Sequence, residues 1–97
     1  KIRKLDEAAQ LRKETDFYKR GIYEDYLRYT GQRITHATVE NLDNYGATYA
    51  LALIYFPEDL QSKIIDLNNE INHGWNDDAL KKLNKLAPLI RMQLQDL

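Results

Sequence analysis

The residues with chemical potential in this chain are few. His36, Glu40 and Asp43 stand at i, i+4 and i+7, a spacing that would place them on one helix face and suit a metal ion. The chain lacks the Glu-x-x-His pairs, and the second His-carboxylate helix, from which bundle di-metal sites are built. His73 has no comparable neighbours and precedes a glycine, where a protonated imidazole favours a helix C-terminus. The pairs Glu58-Asp59 and Asp77-Asp78 read as acidic first turns answering the positive end of a helix dipole. Ser62 is the only serine, with no Gly-x-Ser-x-Gly around it, and no glycine-rich phosphate loop occurs. We therefore expect no catalytic residues, no metal, no cofactor and no enzyme activity.

Seven tyrosines are the other conspicuous set. Tyr18, Tyr23, Tyr26 and Tyr29 fall late in one helical segment, and Tyr45, Tyr49 and Tyr55 in the next. The plain expectation is that the two helices pack together, rings inward and hydroxyls at the edge. Tyr23 and Tyr55 lie off the main stripes and are the candidates for a protein-interaction surface.

Four helical segments would carry these residues, because apolar positions recur at steps of three and four while period-2 alternation is absent. The first spans about residues 2–29, with the stripe Leu5, Ala8, Leu11, Thr15, Tyr18, Ile22, Tyr26, Tyr29 and a stop at Gly31. It would be about 40 Å long, so its weakly apolar start should project beyond the body. The second spans about 35–55, capped by Thr35 or Thr38, and its run Tyr49–Phe56 is apolar all round, predicting the most buried helix. The third begins at Pro57 with the stripe Leu60, Ile64, Leu67, Ile71 and ends at Gly74. The fourth begins with Asn76 as its cap and Trp75 stapled to Leu80; its stripe continues in phase through Pro88, which predicts a kink. The expected fold is all-α: an antiparallel bundle of three to four helices with a long, partly projecting N-terminal helix. It forms a single domain, with 1–15 as a coiled-coil-like helix start and 16–97 as the bundle body.

Length and composition agree. Ninety-seven residues, 43% hydrophobic and 30% charged, suit one globular domain with a modest core. The absence of cysteine excludes disulfides and thiol chemistry, and no apolar run approaches the roughly 18 residues of a membrane span. The net charge of −1 hides a pattern. Residues 1–33 carry nine basic and six acidic side chains (+3), residues 34–80 one and eight (−7), and residues 81–97 four and one (+3). The basic residues of the first helix are interleaved with acidic ones, so no nucleic-acid partner is expected. Asp59, Asp66, Glu70, Asp77 and Asp78 are candidates for an acidic interaction surface.

The phrases Lys19-Arg20-x-Ile22-Tyr23-Glu24-Asp25-Tyr26-Leu27 and Leu89-Ile90-Arg91-Met92-Gln93-Leu94-Gln95-Asp96-Leu97 resemble a type of small bacterial membrane-anchored protein of unknown function. In that type a transmembrane helix leads into a charged helix and an antiparallel bundle. This chain departs from it at Gly21, Pro88, Gln93 and Gln95. The resemblance implies an anchor upstream, with Lys1, Arg3 and Lys4 as its membrane-proximal basic flank. It carries no catalytic residues. The chain begins with Lys1 and its only methionine is Met92, so we expect a fragment or processed product. The functional expectation is a non-enzymatic interaction domain on the cytoplasmic side of the inner membrane, binding a protein partner or itself. The alternative is a small soluble cytoplasmic inhibitor, of the immunity-protein or antitoxin kind, that binds through its acidic middle segment.

Overall fold

The computed structural model describes the backbone of residues 2–95 and the side chains of residues 16–95. Four helices follow one another: α1 (Ile2–Thr35), α2 (Val39–Tyr55), α3 (Glu58–Asn72) and α4 (Asn76–Gln95), with no strand among the described residues. Connections of two or three residues make the neighbours antiparallel. α1 packs against both α2 and α4, and α4 packs against α3. At 34 residues α1 is about 51 Å long, against about 30 Å for the 20 residues of α4. The molecule accordingly measures 56 × 25 × 16 Å. The expected bundle with a long, partly projecting first helix is what the chain forms. The side chains of Lys1, Arg3 and Lys4, and of the expected projecting start 1–15 as a whole, lie outside the described residues.

α3 and α4 follow their sequence pattern most closely. Leu60, Ile64, Leu67 and Ile71 are all buried, opposite Ala79, Leu83, Leu86 and Ile90 of α4. Between them, Gly74 at φ +77° takes the left-handed position that only glycine adopts without strain. The Trp75 N–H bonds the Glu70 carbonyl and the Gly74 N–H the Ile71 carbonyl, the two bonds that close a helix C-terminus in this manner. Asn76 is not the cap of α4. The Trp75 carbonyl already accepts from the Ala79 N–H, and the Trp75 ring stacks on His73 at 4.7 Å rather than covering Leu80, which remains exposed. α4 runs unbroken through Pro88. Pro88 and Asn84 both lie on its exposed side, so the carbonyl that loses its N–H partner faces solvent.

The helix ends around α2 differ from expectation by a turn. α1 continues through Gly31 to Thr35, since Gly31 keeps a helical backbone without the positive φ of a helix stop. α2 begins at Val39 with Thr38 as its cap, whose hydroxyl accepts from the Asn41 N–H at 3.1 Å. Pro57 precedes α3 as its cap rather than forming its first turn. Beside it, the Gln61 amide donates to the Leu53 and Phe56 carbonyls at 2.9 and 2.8 Å, satisfying the open end of α2.

The core stripe of α1 is Ile22, Tyr23, Tyr26, Thr30 and Ile34, one position round from the expected line, so Tyr18 and Tyr29 slide towards its edge. The hydroxyls of Tyr26, Thr30 and Thr48 are buried without a hydrogen-bond partner. Burial is the main cause that pushes the Tyr26 phenol far above its ordinary value of 10.0, and Tyr45, whose hydroxyl donates to Asn68 at 2.8 Å, is raised for the same reason.

Two measurements follow. Tyr26→Phe removes a buried unpaired hydroxyl and should raise unfolding free energy by about 1 kcal/mol, whereas Ile64→Ala should lower it by about 2–5 kcal/mol; urea titrations check both. The raised tyrosines stay protonated in the folded chain but ionise near pH 10 when unfolded. Their stabilisation is therefore complete below pH 10 and declines above it. The slope should approach about 1.4 kcal/mol per pH unit for each buried tyrosine, and be shallower in Tyr26→Phe.

Candidate functional site

The surface of α1 and α2, rather than any catalytic cluster, is where the structure departs most from a closed fold. α2 turns only Tyr45, Thr48 and Ala52 fully inward. The segment Tyr49–Phe56, expected to be the most buried in the bundle, instead leaves Leu51, Leu53, Ile54 and Tyr55 exposed. The reason is topological. α2 packs mainly on α1, so among the described residues no helix packs along its opposite side.

Phe17 and Tyr18 of α1 adjoin this exposed side. With Gly21, Ile22, Asp25 and Leu51 they line a shallow groove between the two helices. Tyr18 meets Tyr55 edge to face at 5.5 Å, linking the groove to the C-terminal end of α2. Phe17 is 79% exposed and Ile54 69%. Single exposed apolar residues are commonplace, whereas here five large ones lie close together on two neighbouring helices. Tyr55 is exposed. Tyr23 is not: it is 4% exposed and stacks on Phe56 at 4.6 Å, inside the core. Its phenol is raised by burial and then by the charge of Asp59. Tyr23 is one residue past Ile22 on the side that Phe56 fills, which α1's own spacing could not show.

Phe17, Leu51 and Ile54 were not singled out from the sequence. For Leu51 and Ile54 the surrounding all-apolar stretch carries no contrast that would tell a buried from an exposed face. The available signal was the absence of any Asp, Glu, Lys, Arg or His between residues 44 and 57.

The acidic candidates divide. Asp59, Asp66, Asp77 and Asp78 are exposed and form no ion pair among the described residues. Glu70 is mostly covered and accepts from Lys82 at 2.7 Å, while its second oxygen is buried without a partner. Lys82 is pushed up by that hydrogen bond, with the charges of Glu70, Asp66 and Asp78 adding to it. Part of the acidic middle is thus answered by the basic C-terminal segment. The proposed grouping of His36, Glu40 and Asp43 on one helix does not form, since His36 lies in the connection before α2, its Nδ1 3.1 Å from the Thr35 hydroxyl. Among the described residues no group of three or more His, Asp or Glu is placed to hold a metal ion, and no helix is long and apolar enough to cross a membrane.

No family model, curated protein or solved structure matches this chain. The α1–α2 surface therefore has to be read from its own chemistry. It offers apolar area, ring edges and few hydrogen-bonding groups, with Asp25 at one rim, held by Arg28 at 2.8 Å.

Because Phe17 and Ile54 touch solvent, Phe17→Glu and Ile54→Glu should leave the melting temperature within a few degrees of the parent. Phe56→Ala, which removes the ring between Tyr23 and Tyr26, should cost about 3–5 kcal/mol. Thermal melts followed by circular dichroism separate the two classes.

Proposed function

We propose that this chain is a non-enzymatic helical interaction domain that binds a protein partner through the apolar α1–α2 face. The observation that supports it most is the exposure of Phe17, Tyr18, Leu51, Ile54 and Tyr55 across two helices, around the shallow groove between them. The same proposal places the domain on the cytoplasmic side of a bacterial inner membrane. An upstream anchor would hold it there, and the long α1 would set its distance from the bilayer. That part rests on the two resembling phrases and on the basic Lys1, Arg3 and Lys4. Fractionation of the complete gene product tests it: recovery in the soluble fraction would count against an anchor.

One observation favours a second reading. The exposed carboxylates Asp59, Asp66, Asp77 and Asp78 suit an immunity-type inhibitor that steers onto a basic partner. Affinity capture with three forms of the chain separates the readings. A partner retained by the parent, lost with Phe17→Glu/Ile54→Glu and kept when the four aspartates become asparagine supports the apolar face. The reverse pattern supports the acidic one.

A further inference from the structure

We propose that the outward side of α2 is covered by a second copy of this chain, which lays the basic first turns of its own α1 along it. The inference goes beyond the reading of the apolar α1–α2 face and concerns the adjoining outward side of α2, which shares Ile54 with it. The outward residues Gly46, Ala47, Ala50, Leu53 and Ile54 are all exposed, and no charge interrupts α2 after Asp43. Acidic residues stand at both ends: Glu40 and Asp43 before this stretch, Glu58 and Asp59 after it, with no Lys or Arg anywhere from 34 to 62. A complementary occupant is a helix of similar length with an apolar stripe and basic flanks.

The chain contains one such segment. Residues 1–15 hold Lys1, Arg3, Lys4, Arg12 and Lys13 against Asp6, Glu7 and Glu14, a net +2, with Ile2, Leu5, Ala8 and Leu11 at helical spacing. Residues 2–15 give about 21 Å of helix, against about 25 Å for the 17 residues of α2. The segment cannot reach its own α2. It is continuous with the rest of α1 in one helix from Ile2 to Thr35, and α1 already occupies the other side of α2. A partner copy has no such restriction, and a two-fold axis makes the contact twice. A helix of that length is marginal when isolated in water, so docking also supports the part of α1 that projects. At Gly46 an added Cβ would meet nothing within 4 Å, leaving room for a close helix approach.

Sedimentation of the full 97-residue chain over a range of protein and NaCl concentrations tests this. The expected result is a dimer that dissociates as salt rises. Arg12→Glu/Lys13→Glu should weaken it roughly tenfold, taking a few tenths to one kcal/mol per reversed surface charge. Ile54→Glu should give a monomer with unchanged helical circular dichroism. Three results would overturn the inference: a monomer at all concentrations, a dimer indifferent to Ile54→Glu, or a dimer lost with Ile54→Glu but indifferent to salt and to the α1 reversals. The last would mean that α2 pairs with α2. Any of the three, alongside partner capture that still fails in Phe17→Glu/Ile54→Glu, leaves the interaction-domain reading intact and removes only the self-pairing.

Discussion

The position of Phe56 governs the rest of this fold. Its ring stacks on Tyr23 at 4.6 Å and meets Tyr26 edge-on at 5.3 Å, filling the corner where α2 gives way to α3. Pro57 fixes the corner by forbidding another helical turn before it. Gln61 ties the free carbonyls of α2 back to the start of α3. With that corner pinned, the rotation of α2 is no longer free. Tyr45, Thr48 and Ala52 must face α1, and whatever lies on the far side of the helix must face outwards. The apolar surface of α2 is therefore a geometric consequence of a well-packed aromatic corner.

Legibility in the sequence follows contrast. α3 alternates buried Leu60, Ile64, Leu67 and Ile71 with polar residues, so its inward face could be read directly. α2 has almost no contrast after Asp43, and the face that meets α1 could not be told from the face that meets nothing. The stripe of α1 is one position out of register with its sequence pattern because the large rings of Tyr18 and Tyr29 draw the stripe away from the small, polar Thr30. Thr30 is nonetheless wholly buried. Glycine itself proved ambiguous. Gly31 and Gly74 looked equally like stops, but only Gly74 has the positive φ that ends a helix. The exposed apolar face is legible only in part. The spacing sets Tyr55 and Tyr23 off the main stripes, yet Tyr23 is buried, and the exposure of Phe17 and Ile54 depends on tertiary packing that periodicity does not encode.

The charge pattern gained a partial explanation. The acidic middle and the basic C-terminal segment meet where Lys82 reaches Glu70, with Asp66 and Asp78 close enough to strengthen the cation. The net charge of −1 is thus the sum of segments that partly answer each other across the α3–α4 pair. The aspartates left over stay solvated, where their repulsion is weak and screened by salt.

The turn between α3 and α4 has a further consequence, which is optical. Trp75 is the only tryptophan, half-exposed and stacked on His73, while all seven tyrosines belong to α1 and α2. Indole emission therefore watches the α3–α4 connection alone, and phenol absorbance watches the α1–α2 half alone. If the two signals move together on denaturation, the halves melt as one unit. If the indole moves first, α3 and α4 part while the aromatic corner holds. The molecule carries, without any label, two reporters assigned to different halves of its fold.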